Sequence, residues 1–145
     1  MTEQEKQEFY QTIMERCSTP GHFAGLLGLK CDSLSPQRAE GYFVATHELC
    51  NPLGIVHGGV YYTLMDQLAG MAASSTGMAA VTLDCSVNYL KSAREGDTVR
   101  CVVESVHLGR SVGVYDAKCY GNQGELLCTG TFHLFFLKPL EEMLR

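Results

Sequence analysis

Apolar residues recur along this chain with two spacings. From about Gly58 to Ser75 they return every three to four positions, the period of a helix, with Leu64, Leu68, Met71 and Ser75 on one side and Val60 and Tyr61 beside them. Before and after that segment the runs are shorter, β-branched and aromatic, and separated by turn residues. These read as strands near Leu29 to Ser33, Ala39 to Thr46, Ala80 to Leu90, Thr98 to Leu108, Ser111 to Tyr120 and Glu125 to Leu137. Arg94-Glu95-Gly96-Asp97, Gly109-Arg110 and Gly121-Asn122-Gln123-Gly124 supply the residue types of tight connections. An amphipathic helix over residues 3 to 17, with Phe9, Ile13 and Met14 on one side, stops at Ser18-Thr19-Pro20-Gly21. No repeat or linker interrupts the pattern, so residues 1–145 read as a single α+β domain.

The second side of the long helix is unusual. It holds Gly59, Tyr62, Asp66, Ala69, Gly70 and Ala73, small residues with a single charge, where a solvated face would carry Glu, Lys or Gln. Both sides are therefore expected to be covered, the arrangement of an antiparallel sheet wrapped around one central helix. Between Glu48 and Asp84 the only formal charge is Asp66. An ionisable group alone in a stretch that reads as buried is costly unless it is used, which makes Asp66 the first candidate for chemistry. The other reading is a structural carboxylate that caps a buried donor.

Composition removes several function classes. The formal net charge is -5, and no Lys or Arg lies between Arg38 and Lys91, so no basic stripe exists to neutralise a nucleic-acid backbone. Seven scattered cysteines without a CxxC spacing argue for reduced thiols in a cytoplasmic protein rather than disulfides or zinc. His22, His47, His107 and His133 show no metal-ligand spacing; His133 is expected to be a bonded histidine on a strand face, and Glu141 and Glu142 belong to a polar tail. No metal is expected. The charged N-terminus and the lack of an apolar run near 18 residues imply no membrane span.

The segment Asn51-Pro52-Leu53-Gly54-Ile55-Val56-His57-Gly58-Gly59, followed by Asp66 in the helix, resembles the N-x-x-G-x-x-H-G-G signature of hotdog-fold acyl-CoA thioesterases of the phenylacetate-degradation, PaaI-like type. Asn88 to Asp97 resembles the same family's strand-end pattern, and the likeness spans nearly the whole chain. It implies a hotdog fold with a short N-terminal helix, an acyl-CoA substrate, no separate cofactor, and a homodimer or dimer of dimers. It also implies an oxyanion donor and a carboxylate supplied by different subunits.

Physical chemistry gives those residues roles of their own. Thioester hydrolysis builds charge on the carbonyl oxygen, and free N–H groups at a helix start point at such a charge. Gly58 and Gly59 let an acyl group approach that backbone, although glycines there also suit a simple tight turn. Asp66 lies about 12 Å further along the helix at ~1.5 Å per residue, too far to act on a carbonyl held at its own helix start. A second copy must therefore supply one of the two groups. Asp66 is nucleophile or general base. The resemblance gives Asn51 and His57 the thioester and attacking water to hold, yet Asn51 also suits its turn and His57 the backbone before the helix. Thr82 matches a family position beside the carboxylate, while strand alternation places it on one face with Asp84, Ser86 and Asn88.

For the coenzyme phosphates the candidates are Lys91, Arg94, Arg110 and Ser111, with Lys118 as a further cation; the family's proline in this region is replaced here by Ser92-Ala93. Tyr61, Tyr62, Met65 and Leu68 are expected to line the acyl pocket. Two other functions compete with hydrolysis. Enoyl-thioester hydration needs an acid and base pair, and no His follows Asp66 before His107. A non-catalytic acyl-CoA sensor would use the same pocket.

Overall fold

In the computed structural model, residues 1–144 are described. Six strands form one antiparallel sheet in the order β1-β2-β4-β5-β6-β3. In chain order these are β1 (Lys30–Leu34), β2 (Arg38–Val44), β3 (Met78–Tyr89), β4 (Thr98–Leu108), β5 (Val112–Tyr120) and β6 (Leu126–Pro139). The helices are α1 (Glu3–Ser18), α2 (Phe23–Leu26), α3 (Gly58–Ser74) and α4 (Leu140–Met143), with a 3-10 turn at His47–Leu49. The sheet wraps α3, which touches every strand.

The core is the meeting of two periodicities. Leu64, Met65, Leu68, Ala69, Ala72 and Ala73 of α3 are fully buried against Phe43, Val99, Val103, Tyr115, Phe132 and Leu134 of the sheet. Polar atoms carried into this interior are satisfied: the Tyr115 hydroxyl donates to Pro36 O at 2.7 Å, and Tyr61 Oη accepts from the Ala93 N–H at 2.9 Å. The second side of α3 is covered only in part. Ala69 and Ala73 are buried, whereas Tyr62 is 38% exposed and Gly59, Asp66 and Gly70 keep some exposure within one protomer.

At Gly41 the sheet curves so tightly over α3 that a Cβ would stand 2.2 Å from Lys30 O and 3.0 Å from Leu68 Cδ2. The first neighbour is backbone, so relief requires β1 to move. Gly41→Ala is therefore expected to cost about 2 kcal/mol and lower the melting temperature by several degrees, measured by calorimetry.

Three features depart from the sequence reading. The short helices α2 and α4 and the 3-10 turn were not foreseen, because three or four residues are too few to show a period; Glu141 and Glu142 thus sit on a helical turn. The register slips between Thr82 and Asp84, so a bulge at Leu83 breaks the alternation. Thr82 pairs with the buried Leu134 and faces inward, while Asp84 pairs with His133 and faces outward. Thr82 does not share a face with Asp84, Ser86 and Asn88. His133 is indeed bonded, its Nδ1 lying 2.5 Å from Asp84 Oδ1 on the outer face. All seven cysteines are free, and no helix among the described residues is long and apolar enough to cross a membrane.

Candidate active site

The loop ahead of α3 is set by its own turn chemistry. Asn51 Oδ1 accepts the Leu53 N–H at 2.9 Å, Asn51 O accepts the Gly54 N–H at 3.0 Å, and Gly54 takes φ 77. That is the turn role anticipated for Asn51, with its amide nitrogen left unbonded among the described residues. Val56 N–H donates to Ala93 O at 2.9 Å and Ile55 bridges Arg94, so the segment after β3 is stitched to the helix start.

His57 is the N-cap of α3, its Nδ1 accepting the Gly59 N–H at 2.8 Å. An imidazole that accepts at Nδ1 carries its proton on Nε2, so the exposed ring presents a donor to the solvent side. The Gly58 N–H, in contrast, has no acceptor among the described residues, and Gly58 O accepts the Tyr89 hydroxyl at 2.9 Å. One free amide thus stands at the positive end of a 17-residue helix. The cap separates structure from chemistry at His57. His57→Ala is expected to lose about 1 kcal/mol of stability, whereas His57→Asn keeps the cap and loses only the Nε2 donor. A thermal melt beside an activity assay distinguishes the two effects.

Further contacts tie α3 to β3 at roughly one-turn intervals. Tyr62 bonds Cys85, which pushes the Tyr62 hydroxyl up to about 12, and Thr82 Oγ1 donates to Asp66 Oδ1 at 2.6 Å. The bulge at Leu83 is what brings Thr82 round to the carboxylate. With Oδ1 held, Asp66 Oδ2 has no hydrogen bond among the described residues, and Asp66 lines a cavity of about 310 Å³. Its other walls include Ile13, Gly70, Met71, Thr82 and Leu134. Tyr61, Met65 and Leu68 are sealed in the core of the protomer, and Tyr62 stands outside this cavity, 38% exposed on the second side of α3. The periodicity of α3 does not reveal which side faces a void, and α1 contributed a wall that only tertiary packing supplies.

The cations do not converge within one protomer. Lys91 and Arg94 follow β3 at the Gly58 end of the sheet, where Arg94 N–H donates to Asp97 Oδ2 at 2.9 Å. Arg110 and Ser111 occupy the hairpin beyond Leu108, a strand length of about 35 Å away at ~3.4 Å per residue. Lys118 lies mid-strand on the exposed face of β5. No cluster of three or more His, Cys, Asp and Glu side chains suited to a metal occurs among the described residues.

Comparison with known proteins matches residues 53–128 to the thioesterase superfamily. The chain is 32% identical over 116 residues to the putative esterase ComA2 of Bacillus subtilis, covering 77% of this chain and 91% of that one. It is 30% identical over 100 residues to the acyl-coenzyme A thioesterase PaaI of Escherichia coli, covering 69% and 71%. The crystal structure of PaaI superposes with a TM-score of 0.84 over 93% of this chain and 96% of that one, at 24% identity. A Streptococcus pneumoniae hypothetical thioesterase solved with coenzyme A gives a TM-score of 0.73 at 30% identity, covering 77% and 90%.

Proposed function

We propose, because this chain belongs to the thioesterase superfamily, that it is a PaaI-like hotdog enzyme that hydrolyses acyl-CoA thioesters, Asp66 of one protomer acting with the Gly58 N–H of its partner. The observation that carries this reading is the pair of unspent groups on one face of α3. A free amide sits at the helix start and a carboxylate oxygen about 12 Å along it, each without a partner of its own among the described residues. PaaI is named an acyl-CoA thioesterase, and other relatives are named for hydrolysis of 1,4-dihydroxy-2-naphthoyl-CoA, which supports a coenzyme A thioester as substrate.

The edge of the sheet supports the pairing. β3 is a 12-residue edge strand with Val81, Leu83 and Tyr89 about half exposed. An edge this long and apolar invites a second strand. Antiparallel pairing of two β3 edges about a two-fold axis sets the two α3 helices antiparallel and brings each Gly58 towards the other's Asp66. The exposed Val106, Phe135 and Leu137 of the outer face offer a further surface for a dimer of dimers. Free thiols suit a reducing cytoplasm.

In the proposed reaction Asp66 Oδ2 takes a proton from water as the water oxygen bonds the thioester carbonyl carbon, and returns it to the departing sulfur. Alternatively, Oδ2 bonds that carbon itself, forming a mixed anhydride that water then hydrolyses to the free acid, restoring the carboxylate. The oxygen of the tetrahedral intermediate is held by the partner's Gly58 N–H, and the C–S bond breaks to release coenzyme A as its thiol. Thr82 fixes the carboxylate rotamer. His57 Nε2–H and the Asn51 amide supply donors for the thioester and the water. Lys91 and Arg94 hold phosphates near one helix start, and Arg110 and Ser111 reach the coenzyme only if they come from another protomer.

The test is release of free thiol from phenylacetyl-, hydroxybenzoyl- and straight-chain acyl-CoA. Turnover of any of these supports hydrolysis. Tight binding of all of them without thiol release would instead identify a sensor.

A further inference from the structure

Two aromatic rings stand over the two glycines that open α3. A Cβ on Gly58 would lie 3.0 Å from Tyr89 Cζ, and a Cβ on Gly59 would lie 3.0 Å from His57 Nδ1. The missing side chains let both rings approach the same stretch of backbone, the peptide unit that joins Gly58 to Gly59. Each ring bonds one end of it. The Tyr89 hydroxyl donates to Gly58 O at 2.9 Å, and the Gly59 N–H donates to His57 Nδ1 at 2.8 Å. A carbonyl oxygen has two lone pairs, one for the helix ladder and one left for the hydroxyl. Tyr89, the last residue of β3, is itself seated edge-on against the buried Tyr61, with ring centroids 6.1 Å apart.

We propose, resting on the thioesterase reading, that Tyr89 is a positioning residue that acts through this peptide on His57. A peptide flanked by two glycines is among the least restrained in a chain, since neither neighbour has a Cβ to limit its rotation. Holding its carbonyl fixes the plane, and so fixes where the N–H points. Donation to the carbonyl also polarises the amide, which strengthens the bond that its N–H makes to the imidazole. Nδ1 is thereby kept as an acceptor and the ring proton is kept on Nε2, the side from which His57 offers its donor to the thioester and the water. Tyr89 touches neither of them. It holds His57 in one tautomer and one orientation.

Tyr89→Phe removes the hydroxyl and keeps the ring over Gly58 and against Tyr61. The expected result is a fall of about fivefold in kcat for acyl-CoA hydrolysis with KM unchanged. In a His57→Asn background, where the cap remains but the imidazole is gone, the same substitution is expected to change kcat by less than about twofold. An unchanged kcat in the wild-type background overturns the proposal. An equal fall in both backgrounds also overturns it, because Tyr89 would then act on the helix start and not on His57. The imidazole nitrogens read the same effect without turnover. In alkaline buffer, two-bond proton–nitrogen correlation spectra are expected to show His57 protonated on Nε2 alone in the wild type and a mixture of both tautomers in Tyr89→Phe. Identical His57 spectra overturn the proposal and leave the thioesterase standing. Absence of thiol release by the wild type from every acyl-CoA removes the thioesterase reading itself, whatever the spectra show.

Discussion

Asp66→Asn is expected to lower kcat for acyl-CoA hydrolysis by about 10³-fold while leaving the fold and KM nearly intact. The substitution is isosteric and keeps an oxygen to accept the Thr82 hydroxyl, so the 2.6 Å contact that fixes the rotamer survives. What disappears is the basic, nucleophilic oxygen at the cavity wall. Stopped-flow or endpoint thiol release on the best substrate measures the loss, and a thermal melt checks the fold. A loss under tenfold would assign Asp66 a structural role. Thr82→Val makes the complementary change, freeing the carboxylate without removing it, and should cost less than Asp66→Asn.

Gly58→Pro is expected to be nearly as damaging to kcat, for a different reason. Proline at the first residue of a helix is well tolerated, because the N–H it lacks has no intrahelical acceptor. His57 already has φ -61 and ψ 134, the extended conformation that a residue before proline prefers. The substitution therefore deletes one free amide and leaves the start of α3 in place. Its ring must displace Tyr89, whose aromatic carbons lie 3.0 to 3.2 Å from the position of a Gly58 Cβ. Tyr89 is 52% exposed and can swing outward. Loss of one oxyanion donor corresponds to about 10² to 10³ in kcat. Gly58→Ala displaces the same ring but keeps the amide, so it should retain much more activity than Gly58→Pro. Equal activity of the two variants would show that the tyrosine shift, and not the N–H, matters.

Much of the fold was legible in the sequence. The helical period of Val60 to Met71 and the shorter strand runs located α3 and all six strands to within a few residues, because each element presents a continuous apolar side. Asp66 stood out by charge alone. Long-range packing stayed hidden. The Leu83 bulge adds one residue to β3 without altering its composition, so the alternation that put Thr82 on one face with Asp84, Ser86 and Asn88 could not register the slip. The cavity draws walls from α1, α3, β3, β6 and the C-terminal turn, elements separated by most of the chain. The cap made by His57 had a local signal, a side chain two residues ahead of Gly59, although the backbone bond expected of it lay before the helix and the observed one is to the first turn.

The claim that each site is built from two chains is tested most directly by complementation. Gly58→Pro and Asp66→Asn chains, each inactive alone, are co-expressed under separate tags and the mixed dimer is isolated. In that dimer one site combines the intact Gly58 of one chain with the intact Asp66 of the other, and the second site has neither. Recovery of about half the wild-type activity is expected per purified mixed dimer, or about a quarter in an unfractionated random mixture. A mixed dimer as inactive as its parents would contradict it.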